Sequence, residues 1–416
     1  MQAIIISVGD ELTLGQTLDT NSAWLSARLA ELGVLTRSHL TVPDDQGAIV
    51  RTVQAASELA DWVLITGGLG PTQDDLTRPA LAKLRNVPLV LHAPSLARIE
   101  RFFKDLGRAM SESNRAQAMA PEGADMLDNP LGTAPGLRLG VGTALVFALP
   151  GVPSEMKAMF ERHLAPLLAA RTGRTILTRK INTFGLGESV VGEMLGDLMR
   201  RDRNPTVGTT VSAGLVSVRI RSDFSTRRQA QTELGRVVNV VKQKLGTAVF
   251  SEGDVSLAAV AGEMLRVRRR TVATAESCTA GLLAAMFTEV PGASAWFLGG
   301  WVVYANRMKT EALGVPADLI ARDGAVSETV VRQMAEQALR RSAGDYALAL
   351  SGVAGPEGGS PEKPVGTVWI GLGKHVAGQP RVVAERFLLP GDRAMIRDRA
   401  AKTALNMLRL ELLAKN

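Results

Sequence analysis

One cysteine, two tyrosines and four histidines stand in a chain of 416 residues. A lone Cys278 excludes an intramolecular disulfide and a cysteine-rich zinc site, and it fits a reducing, cytoplasmic setting. His39, His92, His163 and His375 are scattered, without HExxH or His-x-His spacing, so neither a histidine-based zinc centre nor a catalytic histidine is expected. Aromatic residues are 4% of the chain, too few to interleave with basic residues along a nucleic-acid face. No apolar run reaches membrane-spanning length, so no membrane is expected as a partner. Met1 leads into Ala3-Ile4-Ile5-Ile6 without a basic leader, which argues against a signal peptide.

What is present fits a soluble globular protein: 46% apolar and 21% charged residues, with a net charge of +7. The length calls for two or three domains. The basic cluster Arg266-Val267-Arg268-Arg269-Arg270 reads as a solvated helix end, and the positive balance suits anionic metabolites. Strand and helix alternate through the first third, which predicts an α/β domain with a parallel sheet. Strands are expected at Ala3–Val8, Val34–Val42, Trp62–Ile65 and Ala144–Leu149. Helices are expected from Thr20 to Gly33, from an Asp44 or Asp45 cap to Leu59, and from Pro153 to about Leu168. The pattern changes near residue 172 to a small α+β unit ending near Asp254, with strands at Ile176–Thr183 and Val211–Arg221 and helices at Gly187–Arg200 and Thr226–Leu245. A second α/β domain follows. The expected domains are 1–171, 172–254 and 255–416.

The densest signal is Thr66-Gly67-Gly68-Leu69-Gly70-Pro71-Thr72-Gln73-Asp74-Asp75, at the carboxyl end of the Trp62 strand, where open α/β sheets bind ligands. Gly67, Gly68 and Gly70 let backbone approach an anion, and Pro71 stiffens the turn. Asp74 and Asp75, with Asp10 or Asp44, are candidate ligands for a magnesium-type cation bridging protein and phosphate. The plainer reading is a tight turn followed by an aspartate cap on a helix from Leu76.

A second site is expected in the last domain. Glu276-Ser277-Cys278-Thr279-Ala280-Gly281 lies where a strand gives way to a helix, so a Ser277 alkoxide and a developing oxyanion would face the helix's first-turn N–H groups. With no suitable histidine, Lys309 is the candidate base, provided burial or a cationic neighbour lowers its pKa, and Tyr304 is a candidate to relay a proton or orient the serine. Cys278 is a rival nucleophile, better suited to a packing role. Gly352, Gly355, Gly358 and Gly359 form a second glycine loop that would grip a phosphate, with Lys363 as counter-charge.

Taken together the motifs resemble those of the CinA family, the competence/damage-inducible proteins, over essentially the whole chain. Gly9-Asp10-Glu11-Leu12, Thr41-Val42-Pro43-Asp44, Thr66 to Thr77, Gly132 to Gly136 and Leu149 to Met156 are similar to its molybdopterin-binding-like domain. Gly185-Leu186-Gly187-Glu188 belongs to a segment similar to its KH-like connector, and residues 274–281, Tyr304 to Lys309 and Ser351 to Thr367 resemble its amidase domain. The resemblance implies two hydrolases. The first is an ADP-ribose pyrophosphatase that uses a divalent metal of the Mg, Mn or Co type, with Gly9, Thr66, Thr72, Thr133, Pro150, Gly151, Val152 and Pro153 added to the nucleotide site. The second is a nicotinamide-mononucleotide deamidase that needs no cofactor, with Ser277, Tyr304 and Lys309 catalytic and Glu276, Cys278 and Thr279 at the substrate. A homodimer is also implied. Ala280 stands where many relatives carry glycine, and the connector lacks the Gly-x-x-Gly loop that clamps RNA. Two other readings remain at this point: a molybdopterin-handling enzyme, and a non-catalytic DNA-repair or competence partner.

Overall fold

A computed structural model describes residues 1–169, 173–212 and 214–414. The chain divides into two compact units, Met1–Thr178 with Arg221–Leu234, and Arg179–Ile220 with Gly235–Asn416.

The first unit is built on a six-stranded sheet in the order Leu35–Val42, Gln2–Val8, Trp62–Thr66, Ala144–Leu149, Gly136–Val141, Asp125–Leu127. The first four strands are parallel, Gly136–Val141 runs antiparallel to them, and Asp125–Leu127 pairs antiparallel with Gly136–Val141 in turn. Residues 3–8 are all buried because both faces of the sheet are covered. Ile4, Ile6 and Val8 pack on one side with Ile49, Val53, Leu69 and Leu81. Ala3 and Ile5 pack on the other with Leu25, Leu29, Phe160 and Leu164, where Trp62 stacks on Phe147 at 4.9 Å. Parallel strands so covered put their carboxyl-end loops on one edge, and the glycine loop is among them.

Several details depart from the sequence reading. The first long helix is Thr20–Glu31, and Asp19, not Thr20, caps it by accepting from Ser22 N. Asp45 caps Gln46–Leu59. The helix after the glycine loop is Thr77–Arg85, and no side chain caps it, because Asp75 is turned back into the loop. The Pro153 helix passes through a π segment at Phe160–Leu164 before ending as Ala165–Ala169.

The connector contributes a four-stranded sheet in the order Thr206–Ser212, Leu215–Phe224, Thr175–Thr183, Val249–Glu252, and the long helix Arg227–Leu245. The single strand expected over Val211–Arg221 is two strands. Gly214, at φ +76, lies between them in a conformation that breaks extended backbone.

The last domain is a five-stranded sheet in the order Phe297–Val302, Val272–Glu276, Tyr346–Gly352, Thr367–Val376, Gln379–Leu388. Val272–Glu276 is an interior strand, second in that order, and parallel to both neighbours. Helices Leu257–Arg268, Leu282–Thr288 and Arg393–Leu413 cover one face, and Glu328–Ser342 covers the other. The short helix Ala317–Asp323 was not foreseen. Among the described residues no helix is long and apolar enough to cross a membrane.

Candidate active sites

Ser277 follows the last residue of the strand Val272–Glu276, and its N–H donates to Leu350 O at 2.9 Å. The strand ends at Glu276, and the chain arches over residues 277–281 into the helix Leu282–Thr288. Lys309 enters from the helix Asn306–Glu311 and is only 1% exposed. Its Nζ lies 3.0 Å from Ser277 Oγ, 3.0 Å from Val303 O and 3.2 Å from Tyr304 O. Burial lowers the Lys309 pKa. A neutral amine has two N–H donors and one lone pair. An ammonium would donate to all three oxygens; the neutral amine donates to the two carbonyls and keeps its lone pair for the serine proton.

The Tyr304 phenol is not bonded to this pair. Its Oη accepts from Arg393 Nη2 at 2.7 Å, and it is the Tyr304 carbonyl that meets Lys309. Arg393 Nη1 donates to Gly355 O at 2.7 Å, and Arg397 Nη2 to Thr279 O at 2.8 Å. The first turn of the last helix thus ties the serine arch, Tyr304 and the glycine loop together. Neither arginine was singled out from sequence; the available signal was their spacing of four at a helix start.

Gly355 and Gly358 take positive φ, +77 and +87. A Cβ on Gly352 would sit 2.7 Å from Thr367 O, and one on Gly359 would sit 2.9 Å from Val365 N. Lys363 donates to Asp323 O at 3.1 Å. Cys278 is buried among apolar side chains, which pushes its thiol up to about 11, with Glu276 adding to the shift. Thr279 is fully buried and its hydroxyl lacks a partner.

Glu276, 1% exposed, accepts from Gly281 N and Leu283 N at 3.0 Å and from Ala284 N at 2.8 Å. Ala280 N is taken by Ser277 O and Leu282 N by Thr279 O. The first-turn donors assigned to an oxyanion are therefore occupied. The amides of Cys278 and Thr279 have no oxygen acceptor among the described residues; the Cys278 sulfur, a weak acceptor, is the group near them.

The glycine loop of the first unit opens on a cleft of about 450 Å³. Gly9, Asp44, Gly67, Gly68, Gly70, Pro71, Thr72, Asp74, Asp75, Thr133, Pro150, Gly151 and Val152 line it, joined by Glu11, Gln117 and Glu155. Three expected residues are not in its lining. Thr66 is buried, donates to Pro150 O and accepts from Asn21 Nδ2, both at 3.0 Å. Pro153 opens its helix. Asp10 accepts from Asp44 N at 3.1 Å, while Asp44 accepts from Asp10 N at 2.9 Å. Asp75 accepts from Gly70 N at 2.5 Å, from Thr72 N at 2.8 Å and from the Thr72 hydroxyl, so it fastens the loop from within. From behind, buried Arg78 donates to Leu69 O at 2.8 Å, and burial pushes its pKa down to about 10 against the pull of Asp75. Fully buried Asn129 holds the opposite loop, accepting from Leu131 N and Gly132 N and donating to Ala134 O and Glu155 Oε2.

Comparison with known proteins bears on all three segments. Residues 4–170 match the family described as "Probable molybdopterin binding domain", residues 178–251 the "Damage-inducible protein CinA KH domain", and residues 254–412 the "CinA C-terminal domain". A "CinA-like protein" of Dictyoglomus thermophilum is 41% identical over 413 residues, 99% of this chain and 100% of that protein. The chain belongs to the CinA family. A "Putative competence-damage inducible protein" of Symbiobacterium thermophilum is 42% identical over 99% of both chains. A crystal structure titled as the protein CinA with unknown function, from Thermoplasma acidophilum, is 37% identical and covers 39% of this chain and 94% of its own, with a TM-score of 0.37.

In this CinA-family chain the donor set of the first cleft bears on a cation. Five carboxylates line it, those of Glu11, Asp44, Asp74, Asp75 and Glu155, and no lysine, arginine or histidine does. Burial, with Asp10, Glu11 and Asp74 nearby, pushes Asp44 above the usual carboxylate range. A polyphosphate would be repelled from such a cleft without a cation. Among the described residues no three acidic, histidine or cysteine side chains converge as a ready-made metal cage. A magnesium-type ion held there would take one or two of these carboxylates and complete its shell with water and phosphate oxygens. A cleft of about 1020 Å³ in the second unit is lined by residues that include Phe184, Leu186, Leu372, Phe387, Met407 and Leu410, and not by Ser277, Tyr304 or Lys309.

Proposed function

We propose that this CinA-family chain hydrolyses two pyridine-nucleotide metabolites. The last domain would deamidate nicotinamide mononucleotide, and the first would cleave ADP-ribose to AMP and ribose 5-phosphate. The observation that carries the first reaction is the buried 3.0 Å contact between Ser277 Oγ and Lys309 Nζ. Neutral Lys309 takes the Ser277 proton as Oγ attacks the nicotinamide carbonyl. The Cys278 and Thr279 amides are the donors left to receive the oxyanion. Lys309 returns the proton to the leaving nitrogen and ammonia departs; water, deprotonated by the same amine, then releases nicotinate mononucleotide and restores Ser277. Arg393 and the Gly355–Gly359 backbone would hold the phosphate, Arg393 being bonded to Gly355 O and to the Tyr304 phenol.

The second reaction is supported by the charged residues that line the glycine cleft, all of them acidic. A divalent cation held by Asp74 or Asp44 would neutralise the pyrophosphate and lower the pKa of a water. The chain's own part is to present the Gly68 and Leu69 backbone, which Asp75 and Arg78 hold in shape. The purified protein should release ammonia from nicotinamide mononucleotide with or without chelator, and AMP from ADP-ribose only with divalent metal. Ammonia release that survives Ser277→Ala, or AMP release that survives excess chelator, would refute the corresponding half.

A further inference from the structure

We propose that Glu276 is a positioning residue that sets which amides of the serine arch meet the oxyanion. The proposal rests on Ser277 and Lys309 acting as a hydrolytic pair. Glu276 is the last residue of the interior strand Val272–Glu276, next to the nucleophile, and both its oxygens are used inside the protein. Its three donors lie at 281, 283 and 284, across the arch from where it is anchored. The carboxylate therefore pulls the helix start back against the strand end and closes the arch as a loop of fixed span. Withdrawing those donors leaves Cys278 and Thr279 as the arch amides without an oxygen acceptor. Arg397 holds the Thr279 carbonyl from the far side at 2.8 Å, which fixes the orientation of the following peptide. Ala280 pays for the same geometry with a φ of +51. An ordinary helix cap would satisfy end groups wherever they fell; this one reaches from the strand that carries the nucleophile.

The test compares wild type, Glu276→Gln and Glu276→Asp in the full chain. Gln keeps one acceptor oxygen and turns an NH₂ toward N–H donors, whereas Asp keeps both oxygens on a shorter stem. Two rates are read. One is ammonia release from nicotinamide mononucleotide. The other is labelling of Ser277 by a fluorophosphonate, in which the Oγ–P bond forms, fluoride leaves and Lys309 receives the proton. A geometric role predicts that Gln lowers kcat and the labelling rate together by about 10²-fold while KM stays within about threefold. Asp should recover part of both rates. The alkaline-rising pH profile should keep its midpoint, since Lys309 is untouched. A rise in KM alone would make Glu276 a substrate contact and overturn the proposal. So would wild-type rates in Gln, Gln outperforming Asp, or loss of folding in both variants, which would leave only a structural role. Labelling separates this proposal from the substrate assignment. A wild type that labels at Ser277 but releases no ammonia would refute the substrate and leave Glu276 testable by labelling alone. A wild type that does not label would refute the pair, and the proposal with it.

Discussion

Removing either member of the Ser277–Lys309 pair should cost the same, and removing both should cost no more. One 3.0 Å contact joins nucleophile and base, and among the described residues no other basic side chain is bonded to the Ser277 hydroxyl. A positioned general base is worth about 10²–10⁴ in rate, or roughly 3–5 kcal/mol. If the two groups acted separately, their losses would multiply to about 10⁴–10⁸ in the double variant. If they perform one proton transfer, Ser277→Ala, Lys309→Met and the double variant fall to one common residual rate. Ammonia release from nicotinamide mononucleotide, followed under saturating substrate, reads this directly. Melting temperatures guard against misfolding. In Ser277→Ala the amine keeps Val303 O and Tyr304 O, so stability should change little. In Lys309→Met those carbonyls lose a donor, at about 1–3 kcal/mol each if water does not replace it, offset by removal of a buried amine.

The pH dependence adds a second constraint with a definite sign. Lys309 has a lowered pKa in the folded chain, so its neutral, base-competent form grows as pH rises through that value, below the range of an exposed lysine. Activity should rise along that limb. Between the folded and unfolded pKa values the unfolded chain binds more protons, so the Lys309 contribution makes stability rise with pH there, and its burial penalty is present in full below the folded value. Lys309→Met should flatten that part of the stability profile. Multiplicative losses in the double variant, or a retained activity limb in Lys309→Met, would refute the reasoning.

Cys278→Ala should remain active, and the native thiol should resist iodoacetamide until the chain is unfolded, because burial holds it protonated; rapid native alkylation would contradict this. Gly67→Ala should abolish ADP-ribose cleavage while sparing deamidation, since the residue sits at φ +106 and a Cβ would lie 2.2 Å from Val8 O, with retained AMP release as the contrary result. Asp44→Asn should raise the metal concentration needed for half-maximal AMP release, and an unchanged metal titration would exclude Asp44 from that role. Ala280→Gly should not lower the melting temperature, because relief of left-handed backbone, about 1–2 kcal/mol, offsets the entropy glycine adds to the unfolded chain.

What was legible in sequence was whatever depends on local spacing. The Ala3 to Val8 run reads as a doubly buried strand because every residue is apolar or small, and it is one. The glycine loop declares itself because three glycines and a proline cannot continue either helix or strand. Helix caps were less legible: Asp19 and Thr20 are both plausible caps, and only the backbone turn decides between them. The hairpin around Gly214 was lost because Leu215 and its neighbours keep the strand period on both sides of the break.

The parts of the sites that sequence did not reveal share one property: each acts from a distance along the chain. Arg393 lies 89 residues from Tyr304 and Arg397 lies 118 from Thr279, so no local pattern joins them to the serine arch. Glu276 and Asp75 were visible but their direction was not. Each stands beside a loop where a ligand would approach, and each spends its oxygens on that loop's own N–H groups. The consequence for both domains is the same. Amides that a strand–turn–helix loop would offer indiscriminately are reduced by a neighbouring carboxylate to a chosen few. In the first domain Gly70 and Thr72 are withdrawn by Asp75, and in the last Gly281, Leu283 and Ala284 are withdrawn by Glu276. An acidic residue next to a glycine or serine loop therefore has two physically distinct uses, cation ligand or amide clamp. What separates them is whether its oxygens are already occupied: Asp44 accepts one backbone N–H and faces other carboxylates, whereas Asp75 and Glu276 are each held by three donors.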